Sequence, residues 1–120
     1  MKILAVDDSA TMLEILANTL HEAGHAVVEA TNGAEAIKCL SADIDIIISD
    51  LNMMVMSGFE FLKHVRDTES FMATPFIFLT TETDGDLKRT AREAGATAWI
   101  VKPFDPAALL TLVARFTPLN

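Results

Sequence analysis

The most constraining feature of the sequence is a run of isoleucines, Ile46-Ile47-Ile48, followed by Ser49 and Asp50. Successive β-branched residues predict a strand that is buried on both faces, because they fit a pleated surface and leave no polar side. Such strands are typical of parallel sheets that are covered by helices. Sheets of this kind bind their ligands beyond the carboxyl ends of the strands. The sequence therefore predicts an α/β fold organised around the carboxylate of Asp50.

The rest of the chain alternates between short apolar runs and helical patterns. The predicted strands are residues 2–7, 26–30, 44–50, 75–80 and 98–101. Apolar residues at helical spacing follow each of these runs. Five βα units in strict alternation predict a doubly wound parallel five-stranded sheet, (βα)5, with helices on both faces. With 120 residues and no linker, the chain is predicted to be one domain, residues 1–120.

Two of the predicted helices differ in how much apolar surface they offer. The inner stripe of the third helix comprises Phe61, Leu62 and Val65, and Lys63, His64 and Arg66 are expected to point outward. The inner stripe of the fourth helix comprises only Leu87, Ala91 and Ala94. A helix with so little apolar area is expected to be loosely held.

Charge and composition exclude several classes of protein. The formal net charge of -8 argues against nucleic-acid binding, since phosphates would be repelled, but it is compatible with a divalent cation. No apolar run approaches the roughly 18 residues needed to span a bilayer, and the amino terminus lacks a signal peptide. Cys39 is the only cysteine, which fits a reducing compartment. We expect a cytoplasmic protein that does not interact with membranes.

Reactive side chains follow four of the five predicted strands. They are Asp7 and Asp8, Asp50, Thr80 and Lys102. Because the carboxyl ends of parallel strands meet at one edge, these side chains are expected to form one pocket. Two carboxylates about 4 Å apart repel by about 4 kcal/mol at an effective dielectric constant near 20, so either their pKa values rise or a cation lies among them. Carboxylate oxygens suit Mg²⁺, which commonly also binds phosphate.

This pocket has the parts of a phosphoryl acceptor. Asp50 would be the nucleophile and would form an acyl phosphate. The cation would neutralise the acids and draw the phosphoryl group toward Asp50. Lys102 and the hydroxyl of Thr80 would hold phosphoryl oxygens.

These residues resemble those of a known family. The matching segments are Val6-Asp7-Asp8-Ser9, Asp50 with Asn52, Met53 and Gly58, Thr80, and Lys102-Pro103-Phe104. Over residues 1–117 the chain resembles a receiver domain of two-component signalling, in particular the single-domain chemotaxis response regulators of the CheY type. The resemblance implies the flavodoxin-like strand order 2-1-3-4-5.

The resemblance also implies roles for individual residues. Asp50 would accept a phosphoryl group from a histidine kinase, and Thr80 and Lys102 would contact its oxygens. The residues implied to hold Mg²⁺ are Asp8 and Asp50 through their carboxylates, Asn52 through its backbone carbonyl, and Asp7 through water. The Lys102–Pro103 bond is expected to be cis.

Switching and lifetime are expected to depend on four positions, of which Trp99 and Glu82 are additional to the residues that would hold Mg²⁺ or phosphoryl oxygens. Thr80 and Trp99 would form the switch, with the indole turning inward after Thr80 moves toward the phosphoryl group. Asn52 and Glu82 would orient attacking water and make self-dephosphorylation fast. The chain departs from the family pattern at Met54, where proline is usual, at Trp99, where tyrosine or phenylalanine is common, and at Leu13, where chemotaxis members often have a basic residue.

The output remains open at this point. The face formed by the fourth helix, fifth strand and fifth helix is expected to bind a target protein, with the flagellar motor switch as one candidate. A phosphatase is a further candidate partner, and a monomer is expected. The protein would catalyse only its own phosphotransfer and dephosphorylation. The alternatives are a phosphate sink, a phosphorelay intermediate, a receiver cut from a larger regulator, a free-standing Mg²⁺-dependent phosphatase with an aspartate nucleophile, and a flavodoxin-like FMN carrier.

Overall fold

The computed structural model describes residues 1–116. The strands are β1 (Lys2–Val6), β2 (Ala26–Ala30), β3 (Ile46–Ser49), β4 (Phe76–Thr80) and β5 (Ala98–Val101). The helices are α1 (Ala10–Glu22), α2 (Gly33–Cys39), α3 (Gly58–Asp67), α4 (Gly85–Glu93) and α5 (Pro106–Ala114). A one-turn 3-10 helix, Glu69–Phe71, lies between α3 and β4. The third strand begins at Ile46 rather than at Ile44, because the Ile44 amide is bonded to the carbonyl of Ser41 in a turn.

The five strands form one parallel sheet in the order β2-β1-β3-β4-β5. The predicted (βα)5 fold and its strand order are confirmed. In register, Val6 of β1 lies opposite Ser49 of β3, and Thr80 of β4 lies opposite Val101 of β5. The carboxyl ends of β1, β3, β4 and β5 therefore lie along one edge of the sheet.

The core lies on both faces of the three central strands. On one face, residues of β1, β3 and β4 pack against α3 and against Ala91 of α4; this cluster includes Leu4, Ile47, Phe61, Phe76 and Phe78. On the other face, strand residues pack against α1 and α5; this cluster includes Ile3, Ile48, Leu16, Leu20 and Leu109. Burying each large side chain contributes about 1.5–3 kcal/mol, so the two layers fix the central strands firmly.

Each α-helix begins at a side chain that caps its amino end. All five helices start after a side chain that accepts a hydrogen bond from a backbone amide in the first turn: Ser9, Asn32, Ser57, Asp84 and Asp105. Such caps typically contribute about 1 kcal/mol each. The predicted cap at Ser9 is confirmed. Within residues 1–116, none of the helices combines the length and apolar character that crossing a bilayer would require.

Two predictions on helix faces are wrong. Ala94 is exposed rather than part of the inner stripe of α4, and Ala91 is the only fully buried residue of that helix. Arg66 does not point outward: its guanidinium is half-buried and donates to the backbone carbonyls of Gly95 and Phe71. In both cases the outcome depends on the turn that follows α4, which helical periodicity does not describe.

Candidate functional site

Asp50 follows β3 directly and is held by backbone contacts. Its amide donates to the carbonyl of Val6 at 2.9 Å, which continues the pairing with β1. Its Oδ1 accepts a hydrogen bond of 2.7 Å from the Leu51 amide, and the Ser49 hydroxyl donates to its carbonyl at 2.8 Å. Asp50 keeps 8% of its surface exposed, so the carboxylate is both fixed and open to a small reactant.

Asp50 lies beside the two carboxylates at the end of β1. Asp7, Asp8 and Asp50 each offer one carboxylate oxygen, and these three atoms lie within 4.8 Å of one another. Asp7 is buried and Asp8 is exposed, so the cluster is open to solvent on one side. Grouped hard oxygen donors are the chemistry that Mg²⁺ and Ca²⁺ require. The residues present therefore fit a divalent cation.

Lys102 joins two of these acids. Its Nζ lies 2.6 Å from Oδ2 of Asp7 and 3.1 Å from Oδ2 of Asp50. Burial alone would lower the pKa of Lys102, but the hydrogen bonds and charges of Asp7 and Asp50 outweigh burial, and the pKa is raised. Burial raises the pKa of Asp7, although its contacts with Lys102 and with the Ser9 amide act in the opposite direction. Lys102 is therefore a fixed positive charge. The predicted cis bond between Lys102 and Pro103 is confirmed.

Thr80 is the last residue of β4 and is fully buried. Its Oγ1 accepts a hydrogen bond of 3.3 Å from the Glu82 amide. A hydroxyl that accepts in this way still has its own proton to donate. Thr80 can therefore donate to a ligand at the edge of the sheet while it remains tied to the loop before α4.

Glu82 connects three of the predicted site residues. Besides its amide contact with Thr80, its Oε1 accepts a 2.9 Å hydrogen bond from Nδ2 of Asn52. Its backbone carbonyl accepts a 3.1 Å hydrogen bond from Nε1 of Trp99. The sequence pattern indicated Glu82 only as a residue affecting water, and the structure also places it between Thr80 and Trp99.

Trp99 packs against the core of the sheet. The indole is half-buried, and its ring centroid lies 5.7 Å from that of Phe78. The hydrogen bond to Glu82 requires a donor on the indole edge, which tryptophan supplies through Nε1. The indole is thus held on two sides, by its ring contact with Phe78 and by its hydrogen bond to Glu82.

The loop after Asp50 contains two features that the sequence did not predict. Val55 has a φ of 70°, and the Met56 amide donates to the Met54 carbonyl at 2.8 Å, which makes a γ-turn around Val55. No local signal predicts a β-branched residue in this conformation. Gly58, which the motif included, has a steric role: a Cβ there would lie 2.5 Å from the Asp50 carbonyl oxygen.

The structure thus brings most of the predicted site together. Lys102 bridges Asp7 and Asp50, and Asp8 lies beside them. The side chain of Asn52 donates a hydrogen bond to Glu82, in the loop that follows Thr80. Ser49 was missed by the sequence analysis. The available signal was a hydroxyl residue between three isoleucines and an acid in a buried strand.

Comparison with known proteins is consistent with this site. The family model described as "Response regulator receiver domain" matches residues 3–114. Chemotaxis protein CheY1 of Helicobacter pylori is 44% identical over 112 residues, which cover 91% of this chain and 90% of that protein. The crystallised chemotaxis protein CheY4 of Vibrio cholerae is 46% identical, with a TM-score of 0.89 over 96% of this chain and 97% of that one. The BeF3-activated DrrB receiver domain is 29% identical, with a TM-score of 0.87 over 96% of this chain and 95% of that one.

The family match spans nearly all of the residues that the structure describes. Sequence relatives and solved structures agree on the same family, and both include chemotaxis response regulators. This chain belongs to the response regulator receiver domain family and is a signalling protein homologous to the CheY chemotaxis regulators.

Proposed function

We propose that Asp50 is the phosphoacceptor of this receiver domain, residues 1–120, and that a histidine kinase is the donor. The observation that supports this most strongly is the sharing of one lysine: Lys102 Nζ contacts both Asp50 and Asp7 beside a third carboxylate. A carboxylate that is fixed by its backbone, partly open and next to a fixed positive charge suits attack on phosphorus.

The reaction transfers one phosphoryl group between two nucleophiles. A carboxylate oxygen of Asp50 forms a bond to phosphorus, and the phosphorus–nitrogen bond of the donor phosphohistidine breaks. The released imidazole takes up a proton. Lys102 stabilises the charge on the phosphoryl oxygens, and the Thr80 hydroxyl donates to one of them. Lys102 already contacts Asp50 before the donor arrives, so the lysine needs little reorganisation, whereas Thr80 moves toward the phosphoryl group.

Mg²⁺ is the cation that we assign to the acidic cluster. Asp8 and Asp50 would hold it through carboxylates, Asn52 through its backbone carbonyl, and Asp7 through a water molecule. When bound, the ion offsets the repulsion among the carboxylates and polarises the phosphoryl group. The open side of the cluster at Asp8 leaves room for the waters that Mg²⁺ usually keeps.

Intact-protein mass spectrometry after treatment with acetyl phosphate tests this assignment. We expect one phosphoryl increment on the wild-type chain in the presence of Mg²⁺ and none after EDTA treatment. Asp50→Asn should abolish the increment. The matched control is Asp67→Asn, since Asp67 is an exposed acid whose one ion pair within residues 1–116 is with Lys63. An increment that survives Asp50→Asn would contradict the assignment.

Thr80 and Trp99 form the switch in this proposal, with Glu82 between them. The Glu82 amide donates a hydrogen bond to the Thr80 hydroxyl. If Thr80 moves toward a phosphoryl group, this amide must either move with it or lose the hydrogen bond. The carbonyl of Glu82 holds Trp99, so the change reaches the indole. Beryllofluoride with Mg²⁺ should therefore alter Trp99 fluorescence in the wild type and have little effect in Thr80→Ala. An unchanged wild-type spectrum would rule out this route.

The hydrogen bond between Asn52 and Glu82 is the basis for a proposed fast self-dephosphorylation. Both side chains are polar, and they follow Asp50 and Thr80 by two residues in the sequence. Water would approach the phosphoryl group past these two side chains. Replacing both with alanine should lengthen the lifetime of the phosphorylated protein, measured as loss of the mass increment after the donor is removed. An unchanged decay rate would count against this role.

The α4–β5–α5 face is the surface that we assign to target binding. Chemotaxis-type relatives make a flagellar motor protein one candidate target and a phosphatase another. A phosphate sink would need no target, and a phosphorelay intermediate would pass its phosphoryl group to a further acceptor protein. We further infer a cytoplasmic monomer that acts on no outside substrate. A pull-down with and without beryllofluoride distinguishes these roles: a protein retained only by the activated state supports target binding, and retention of a kinase alone supports the sink.

A further inference from the structure

The two ends of α4 are held very differently. At the carboxyl end, the amides of Ala94, Gly95 and Ala96 are bonded to carbonyls of the last turn at 2.9–3.0 Å. Ala91, the one fully buried residue of the helix, also lies near this end. At the amino end, Gly85 and Asp86 are exposed, Asp84 caps the helix locally, and Leu87 is only half-buried against the core. Helix α4 is therefore held more firmly at its carboxyl end.

Arg66 of α3 provides a tertiary anchor at the fixed end. Its Nε and Nη2 both donate to the carbonyl oxygen of Gly95, at 3.0 and 2.9 Å. Its Nη1 donates to the carbonyl of Phe71 at 3.2 Å. One guanidinium thus joins α3, the 3-10 turn and the turn from α4 to β5.

This anchor has a clear electrostatic reason. The carboxyl end of a helix carries a partial negative charge, which a nearby cation stabilises. Within residues 1–116 Arg66 forms no salt bridge, so its charge is directed at backbone carbonyls. Gly95 is required on two grounds: its φ is 104°, and a Cβ there would lie 2.9 Å from Nε of Arg66.

The amino end of α4 adjoins the candidate phosphorylation site. Glu82, which contacts Thr80, Asn52 and Trp99, lies three residues before Gly85. A displacement of Thr80 would act on Glu82, and only residues 83 and 84 separate Glu82 from the amino end of α4. At the other end, Arg66 belongs to the helix that begins at Gly58, against the backbone of Asp50.

We propose that Arg66 is a positioning residue that fixes the carboxyl end of α4, so that phosphorylation moves the amino end of the helix about a pivot at Gly95. This inference rests on the proposed phosphorylation of Asp50. It predicts that the change on activation is large at the amino end of α4 and decreases toward the carboxyl end. A helix that shifts or melts as a unit would change equally along its length.

Hydrogen–deuterium exchange with beryllofluoride and Mg²⁺ tests the pivot. In the wild type, exchange of the amides of residues 86–88 should change several-fold on activation, while that of residues 94–96 stays the same. Arg66→Lys keeps the charge and loses the two-pronged contact with Gly95. It should speed exchange at residues 94–96 by about tenfold in both states, the scale of a lost charged hydrogen bond. The matched control, Lys63→Gln, removes an exposed cation from the same helix and should change neither end.

The outcomes separate this inference from the proposed function. A wild type that responds equally at both ends of α4 would overturn the pivot and leave phosphorylation of Asp50 intact. Unchanged exchange at residues 94–96 in Arg66→Lys would overturn the role of Arg66. A chain that shows neither a phosphoryl increment nor any response to beryllofluoride would overturn the proposed function, and the pivot with it.

Discussion

Helices α3 and α4 pack against the same face of the sheet but bury very different surfaces. Helix α3 buries Gly58, Phe61, Leu62 and Val65, whereas α4 buries Ala91 alone. The first follows the loop that carries Asp50, and the second follows the loop that carries Glu82. The part of the molecule that carries Asp50 is therefore firmly packed, and the part that we propose responds to phosphorylation is held more weakly.

The largest effect on stability is expected when one side chain is removed from each of the two helices. Phe61→Ala deletes a fully buried ring and should lower the free energy of unfolding by about 3–5 kcal/mol. Leu87→Ala removes a half-buried side chain from α4 and should cost about 1 kcal/mol or less. Urea denaturation followed by circular dichroism measures both. Equal losses would show that α4 is not the weaker helix.

A second test adds one methyl group at the start of each helix. Gly58→Ala places a Cβ 2.5 Å from the Asp50 carbonyl oxygen and 2.8 Å from Cα of Leu51, so the backbone behind the acceptor must shift. We expect a loss of about 1–3 kcal/mol in stability, together with slower modification by acetyl phosphate.

Its matched control is Gly85→Ala, where a Cβ meets nothing within 4 Å. That variant should be neutral or gain about 0.5 kcal/mol, since alanine restricts the unfolded chain and favours the helix. Unaltered modification kinetics in Gly58→Ala would show that the approach of α3 does not position Asp50.

A smaller effect is expected within the rigid side itself, at the γ-turn after Asp50. Val55 is 83% exposed and has a φ of 70°, which is unfavourable for a β-branched residue by roughly 1–2 kcal/mol. Asparagine tolerates this conformation, so Val55→Asn should raise the free energy of unfolding by about 0.5–1 kcal/mol. Met54→Asn, at the exposed neighbour, should give no gain. A destabilised Val55→Asn variant would mean that the valine makes a contact that outweighs the strain.

The smallest effect concerns the pH dependence of the acidic cluster without metal. Burial raises the pKa of Asp7, so the native state binds its proton more tightly than the unfolded state does. Stability from this group is therefore complete below the ordinary aspartate pKa and is lost as pH rises through the native value. The stability of Asp7→Asn relative to wild type should grow across that window and then level off, as measured by thermal unfolding in EDTA.

Adding Mg²⁺ at neutral pH should reduce this difference, because an ion that binds the native wild type stabilises it. A constant difference across the pH range would show that Asp7 is not strained by burial. A stabilisation by Mg²⁺ that is equal in Asp7→Asn would remove Asp7 from the cation site.

The parts of the fold that were predicted correctly are those encoded in adjacent residues. A run such as Ile46–Ile48 is buried in almost any parallel sheet, and strict alternation of strands and helices leaves few topologies. The grouping of Asp7, Asp50 and Lys102 followed from the same logic, because parallel strands bring their carboxyl ends together. The strand order itself came from the family resemblance.

The remaining features depend on partners distant in sequence. Arg66 turns toward Gly95, 29 residues away, and helical periodicity alone placed it in solvent. The packing of Trp99 on Phe78 and its bond to Glu82 likewise require the assembled sheet. The γ-turn at Val55 contradicts local preference, so no reading of neighbouring residues would have found it.

Reduction of the acetyl-phosphate-treated protein with sodium borodeuteride tests the central claim most directly. Hydride reduces an acyl phosphate to an alcohol and leaves free carboxylates unchanged, so peptide mapping reports which aspartate carried phosphorus. We predict deuterated homoserine at position 50 alone, and only when Mg²⁺ was present during the treatment. Label at position 7 or 8, or a phosphoryl increment that yields no homoserine at position 50, would contradict Asp50 as the acceptor.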